Sequence, residues 1–289
     1  MSFTTVPPNY KDIAKAASDL LSKDFPVQDT KLEIKTVAPN GVAFTVRGTQ
    51  DSKIGSIAGD LETKYTDKQK GLSFTTIWNT AGILNSKVEY DDKLAKGLKL
   101  EGVTTYNPNK NALDCAKFSV FHKQAPCHAR AFVNALKGPV INADVVIGSD
   151  GFVAGGEIAY NLGDGRITGY GGSVGYISPL YSLSVQASNN LKVFTASYYH
   201  RVGHQVEAAA KAIYDSKAAS PGVALEVGSK YLLDPTTFLK GKINNSGIAA
   251  ISYNQVLRPG VKVGVGAKID TQNPQGPSHK VGMSFTFEG

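Results

Sequence analysis

Histidine, cysteine and glycine-rich segments are the places where catalytic or metal chemistry would be expected in this sequence. The stretch "GYGGSVGY" at 169–176 departs from the dinucleotide-binding pattern GxGxxG because Val174 takes the place of the last glycine. Cys115 and Cys127 lie twelve residues apart without a CxxC motif. The histidines lack the paired spacing of metal ligands and are His122, His128, His200, His204 and His279. We therefore predict a protein that is not an enzyme and that has no metal and no cofactor.

Charged residues offer a different kind of chemistry. The 31 Lys and Arg residues outnumber the 24 Asp and Glu residues, which gives a formal net charge of +7. This excess predicts an anionic partner, such as nucleic acid, lipid headgroups or small anions. Many charged residues alternate with apolar ones. In "KLEIK", the residues Lys31, Glu33 and Lys35 alternate with Leu32 and Ile34, which indicates a strand with one charged face and one apolar face.

The same alternation continues from about residue 30 to the end of the sequence. It predicts about 19 strands, separated by turn clusters such as "APNG" at 38–41 and "NNSG" at 244–247. A strand of ten residues, tilted by about 40°, spans roughly 25 Å, which is the height of the apolar band of a membrane barrel. A large soluble β protein that binds anionic ligands also fits. Tyrosine and tryptophan residues near the strand ends favour the barrel, because these residues concentrate at membrane interfaces.

One amphipathic helix is predicted before the strands. Asn9 is a suitable N-cap residue, and the segment ends at the sequence "KDFP" at 23–26. Apolar residues recur at helical spacings of three and four, namely Tyr10, Ile13, Ala14, Ala17, Leu20 and Leu21. We divide the chain into an N-terminal amphipathic helical segment, 1–26, and a transmembrane β-barrel, 27–289. The first residues lack the features of a secretory signal or a transit peptide, so we expect no cleaved presequence.

The segment "YLLDPTTFLKGKINNSGIAAISY" at 231–253 resembles the diagnostic segment of the eukaryotic mitochondrial porins, the voltage-dependent anion channels. The segments "VPPNYKDIAKAASDLL", "GLSFTTIWNT", "KGLKLEG" and "LRPGVKVGVGAKID" are also similar to segments of this family. The resemblance extends over essentially the whole chain and is closest to fungal members. The glycine-rich hinge that animal porins often have after the helix is absent from "SKDFPVQD".

The resemblance implies the 19-stranded barrel for which this family is the known odd-numbered example, with the helix inside the pore. An odd number of strands requires that the first and last strands pair in parallel. We therefore expect residues 30–37 to pair with residues 280–288. The resemblance also implies a multi-pass barrel in the mitochondrial outer membrane.

The function implied by the resemblance is a voltage-gated, weakly anion-selective diffusion channel for small metabolites such as nucleotides, phosphate and organic acids, with ATP and ADP as weakly bound permeants. A basic wall raises the local concentration of anions. The residues assigned to this role are Lys15, Lys23, Lys31, Lys35, Arg47, Lys64, Lys99, Lys230, Lys262, Lys268 and Lys280. By the same resemblance, the helix packs on the barrel wall through Ile13, Leu20 and Leu21, and Lys15 and Lys23 meet nucleotide phosphates.

The C-terminal strand also fits the sorting signal that mitochondrial barrel proteins present to their assembly machinery. The residues that fit this signal are Lys280, Gly282, Phe285 and Phe287. The expected partners are membrane lipids, small anionic metabolites, the assembly and import machinery and further copies of this chain, with no nucleic acid as a specific partner. The alternative function is the barrel pore of the outer-membrane protein-import machinery. Such pores usually have a long extension before the barrel and an acidic lumen, whereas this sequence has a short helix and a basic face.

Overall fold

The computed structural model describes residues 6–27, 29–51, 55–136, 138, 140–218, 222–276 and 278–289. The described chain begins with a 3-10 helix, Tyr10–Asp12, and an α-helix, Lys15–Ser22 (α1). Neither helix is long and apolar enough to cross a membrane.

Nineteen strands follow the helix and make one sheet. Their bounds are Asp29–Val37 (β1), Ala43–Asp51 (β2), Ile57–Asp67 (β3), Leu72–Asn79 (β4), Leu84–Asp91 (β5), Leu98–Asn107 (β6), Ala112–Gln124 (β7), Cys127–Asn134 (β8), Val140–Ser149 (β9), Phe152–Asn161 (β10), Arg166–Ile177 (β11), Tyr181–Ser188 (β12), Val193–Arg201 (β13), Val206–Asp215 (β14), Val223–Asp234 (β15), Thr237–Asn244 (β16), Ile248–Arg258 (β17), Val261–Asp270 (β18) and Lys280–Glu288 (β19).

Each strand pairs with its sequence neighbours in antiparallel orientation, and the sheet closes through one parallel pair, β1 with β19. In that pair Leu32 lies opposite Phe285, and Ile34 lies opposite Phe287. The predicted barrel of 19 strands and its parallel closure are both confirmed. Closure leaves the sheet without an open edge, so every strand finds hydrogen-bond partners on both sides.

The outer face of the barrel is apolar. Large side chains on this face remain accessible, including Trp78 at 61%, Ile251 at 56% and Val281 at 61% relative exposure. A soluble β protein would bury such a face in a core, so the soluble alternative is wrong. Most buried apolar residues of the described chain lie where the N-terminal segment meets the inner wall, and they are Tyr10, Ile13, Ala17, Leu20, Leu21, Val146, Val153 and Ala209.

The N-terminal segment is less regular than the single helix that the sequence predicts. The 3-10 helix is capped by Asn9, whose side chain accepts a hydrogen bond from the Lys11 N–H, and α1 starts only after Ala14. The interruption separates two contacts with the wall. Tyr10 and Ile13 pack on Val146 and Val153, whereas Ala17, Leu20 and Leu21 pack on Ala209 further around the barrel. The predicted N-terminal helix is confirmed, but its α-helical part is limited to Lys15–Ser22 because the residues before it form a 3-10 turn.

Candidate permeation pathway

The lumen is built by the inward-facing side of every strand. On β1, the residues Lys31, Glu33 and Lys35 alternate with the outward Leu32 and Ile34, as the sequence pattern predicts. The cross-strand register also gives the positions of the other wall cations assigned from the sequence. Those on the inner face are Arg47 (β2), Lys64 (β3), Lys99 (β6), Lys230 (β15), Lys262 and Lys268 (β18) and Lys280 (β19).

Acidic residues neutralise much of this charge on the wall formed by β1 to β6. Arg47 lies directly opposite Glu33 on one side and Asp60 on the other. Its guanidinium contacts Glu33 at 3.3 Å, Asp60 at 2.9 Å and Glu62 at 2.5 Å. A guanidinium has five donors in a planar fork, so it can hold three carboxylates in fixed positions. This part of the wall therefore has little net positive charge.

A second ion-pair network lies on β5 and β6. Glu89 and Glu101 are directly opposite each other, an arrangement of like charges that is unfavourable without a cation. Lys87 Nζ lies 3.0 Å from Glu89 and 3.2 Å from Glu101, and Lys99 Nζ lies 2.5 Å from Glu89. The two lysines therefore hold the two carboxylates together.

Other wall cations are less fully paired. Lys31, Lys64 and Lys268 have no carboxylate within 4 Å in the described part of the chain. Lys230 Nζ lies 3.8 Å from the carboxylate of Glu207. The excess of positive charge in the lumen therefore comes from particular lysines and not from the wall as a whole.

The helix residues assigned to wall packing are buried. Ile13 is 3% exposed, Leu20 5% and Leu21 2%. Ile13 contacts the wall through the cluster that contains Val146, and Leu20 and Leu21 contact it through the cluster that contains Ala209.

The two helix lysines each pair with an acid on the same segment. Lys15 Nζ lies 3.4 Å from Asp12, and Lys23 Nζ lies 2.7 Å from Asp19. The hydrogen bond that the Lys23 ammonium donates to the Asp19 carboxylate raises the pKa of Lys23, so this lysine stays charged at neutral pH. Both side chains remain more than half exposed.

Two lysines that were not predicted as site residues bind the end of the helix to the wall. Lys240 and Lys242 on β16 donate hydrogen bonds to backbone carbonyls at the end of α1, at distances down to 2.6 Å. The period-two alternation in "FLKGKIN" places both lysines on the polar face of the strand, so their face can be predicted from the sequence. Their contact with the helix joins residues more than 200 positions apart, and no local pattern indicates it.

The residues that fit the sorting signal divide between the two faces of β19. Lys280 and Gly282 lie on the inner face, and Gly282 is opposite Gly266. Phe285 and Phe287 lie on the outer face beside Leu32 and Ile34 of β1.

A closed barrel with an apolar exterior and a charged lumen defines a membrane pore. The model of the family described as eukaryotic porin matches residues 6–282, so this chain belongs to the eukaryotic porin family and the family prediction is confirmed.

The chain is similar to curated proteins over nearly its whole length. It is 50% identical to the mitochondrial outer membrane protein porin of Neurospora crassa, over 97% of this chain and 99% of that protein. The same name belongs to a Candida albicans protein that is 43% identical over the same shares. A Saccharomyces cerevisiae protein named non-selective voltage-gated ion channel 1 is 33% identical over 98% of this chain and 99% of its own length.

Among solved structures, a mutant of Rh. blastica porin matches with a TM-score of 0.51 and 9% identity. The match covers 80% of this chain and 89% of that chain. At this low identity the likeness concerns the fold alone.

Proposed function

We propose that this chain is a voltage-gated, weakly anion-selective diffusion channel of the mitochondrial outer membrane, which exchanges small metabolites. The family membership and the names of its fungal relatives support the location and the channel activity. The name of the yeast relative supports voltage gating. The import-pore alternative is not favoured, because these relatives are named porins and ion channels. Membership of a channel family also argues against an enzyme.

The observation that carries the anion preference is the incomplete pairing of wall lysines. The guanidinium of Arg47 is surrounded by three carboxylates, whereas Lys31, Lys64 and Lys268 face the lumen without one within 4 Å in the part of the chain that the structure describes. Unpaired ammonium groups attract permeating anions over a distance set by salt screening. The attraction is distributed along the wall, which favours fast exchange over tight binding.

Nucleotides such as ATP and ADP are proposed as weakly bound permeants, and the helix lysines as residues that they meet. The ammonium groups of Lys15 and Lys23 are more than half exposed, so a phosphate can approach them. Each already has a carboxylate neighbour, which a phosphate would have to displace. This competition favours weak and transient contact.

The same proposal includes the partners expected from the sequence. Lipid contacts the apolar outer face, on which Val281, Met283 and Phe287 of β19 are exposed. The C-terminal strand is the segment proposed to be recognised by the assembly and import machinery. Association of several copies through the outer face is a further part of the proposal.

Recording from the purified protein in planar bilayers under a salt gradient tests the function. We expect a reversal potential that shows anion preference in the open state and a fall in conductance when the voltage is increased at either polarity. Cation preference in the open state would contradict the role of the wall lysines. A conductance that does not depend on voltage would contradict the gating.

A further inference from the structure

We propose that Lys240 and Lys242 are positioning residues that anchor the end of α1 to the barrel wall and thereby stabilise the open channel. This inference rests on the proposed function only for its effect on gating. The anchoring itself rests on contacts between the helix and β16.

The last turn of a helix has carbonyl groups without partners in the helix, and these groups have a partial negative charge. In this chain wall lysines donate to the Leu21 and Lys23 carbonyls, and Lys240 is a second donor to the Asp19 carbonyl, which also accepts from the Lys23 N–H. Lys240 Nζ lies 2.7 Å from the Lys23 carbonyl oxygen and 3.4 Å from that of Asp19. Lys242 Nζ lies 2.6 Å from the Leu21 carbonyl oxygen. Three backbone carbonyls at the helix end are therefore bound by two side chains from one strand.

Burial makes the Lys240 contact specific to this docked position. The Lys240 side chain is 2% exposed, and its carboxylate neighbour is Asp24 at 3.5 Å. An ammonium group in such a place is costly unless its donors are satisfied, and here the helix carbonyls and Asp24 satisfy them. Movement of the helix away from the wall would separate this charge from its partners.

The aromatic ring of Phe25 contacts both lysines. Lys240 Nζ lies 5.1 Å and Lys242 Nζ 4.9 Å from the centre of the ring, within the range of a cation–π interaction. Beyond this ring, Asn254 on β17 donates a hydrogen bond to the Asp24 carbonyl oxygen at 3.1 Å. The anchor thus includes both the helix end and the residues that lead to β1.

Small residues beside the lysines allow the helix to come close enough for these contacts. Lys242 lies opposite Gly228 on one side and Ala250 on the other. A Cβ atom added to Gly228 would lie 2.8 Å from Leu21 Cδ2. Lys242 Nζ also lies 3.0 Å from Glu226 Oε1 on the neighbouring strand β15. The wall therefore has both the space for the helix and the donors for its end.

The test uses a cysteine reporter in the full-length protein. Ala17→Cys is placed in a background in which Cys115→Ser and Cys127→Ser remove the native thiols. Ala17 is 2% exposed, so its cysteine reacts slowly with a water-soluble thiol reagent while the helix is docked. With K240M and K242M together, we expect labelling to accelerate at least about tenfold, the factor that corresponds to loss of one charge-assisted hydrogen bond. In bilayers, the same variant should close at lower voltage.

The control K268M removes a positive charge from the inner face of β18, where no carboxylate of the described chain lies within 4 Å. It should shift the reversal potential toward cations and leave the labelling rate unchanged. If the double variant does not insert, D24N keeps both lysines and removes the carboxylate near Lys240, and it should accelerate labelling by a smaller factor.

Slow labelling in both K240M/K242M and D24N would overturn the anchor. Faster labelling in a protein without voltage gating would support the anchor and overturn the proposed gating, so the two failures are distinguishable.

Discussion

Replacing Glu89 with glutamine should make the channel more selective for anions. Glu89 lies in the ion-pair network of β5 and β6, within 3.0 Å of Lys87 and 2.5 Å of Lys99. The amide keeps the size of the side chain and removes one negative charge from the lumen. The fold should tolerate the change, because it ends the repulsion with Glu101, which still has Lys87 at 3.2 Å.

The size of the effect follows from the charge removed. A unit charge acts on an ion about 10 Å away with about 0.4 kcal/mol in water, and about 0.15 kcal/mol remains after screening in 0.1 M salt. This energy increases the local concentration of an anion about 1.3-fold and lowers that of a cation by the same factor. The ratio of anion to cation permeability should therefore rise by about 1.7-fold in E89Q. Higher salt should reduce the difference, because the screening length becomes shorter.

Reversal potentials of single channels under a potassium chloride gradient measure this ratio directly. The matched control is D164N, which removes the same charge from the exposed turn between β10 and β11. We expect this control to change the ratio less than E89Q does. An unchanged or lower ratio in E89Q, or an equal change in D164N, would refute the argument that acids on the inner wall limit anion selectivity.

Two further substitutions test the seat of the helix and the closing strand. G228V should displace α1 and lower the thermal stability of the barrel, because a Cβ at this position would lie 2.8 Å from Leu21 Cδ2. The control is G241A on the outer face, where no atom lies within 4 Å of an added Cβ. This control should leave the melting temperature unchanged. F285D places a carboxylate on the lipid-facing side of β19 and should prevent insertion into mitochondrial membranes, as measured by carbonate extraction. The control S284D places the same group on the inner face and should insert. Membrane insertion of F285D would contradict the assignment of Phe285 to the lipid-facing side.

The sequence predicts the faces of the strands well because the period of a strand is two. Once Leu32 and Ile34 are assigned to lipid, the inward position of Lys31, Glu33 and Lys35 follows without further information. Parallel closure follows from an odd number of strands, which came from the family resemblance. The fold could therefore be predicted from the local alternation of apolar and polar residues together with the number of strands.

The electrostatics of the lumen could be predicted only in part. Alternation assigns Arg47 to the inner face, but its three carboxylate partners depend on the register of β1, β2 and β3. A shift of two residues would keep every face and change every ion pair. Counting lysines on the inner face therefore identifies where positive charge lies and not how much of it acts on a permeating ion.

The length of the helix and its attachment could not be predicted, because both depend on contacts distant in sequence. The continuous apolar stripe from Tyr10 to Leu21 is compatible with one helix. In the structure the segment is divided into a 3-10 helix and α1, and the two parts contact different places on the curved wall. The absent glycine hinge is consistent with a helix that is held in place. The lysines that hold it are 217 or more positions away in the chain.

Inward glycines show how the wall and the N-terminal segment depend on each other. An added Cβ would lie 3.1 Å from Tyr10 Cδ2 at Gly155, and 3.3 Å from Ile13 Cγ2 at Gly175. At both positions a side chain would meet the N-terminal segment and also the backbone of the neighbouring strand, at Val145 O (2.9 Å) and Leu183 O (2.8 Å), so these glycines leave room for the segment on a closely packed wall. In the sequence, the same glycines interrupt the polar face without an evident reason. Part of the reason lies in a segment more than 140 positions earlier, which packs on the inner wall and narrows the lumen.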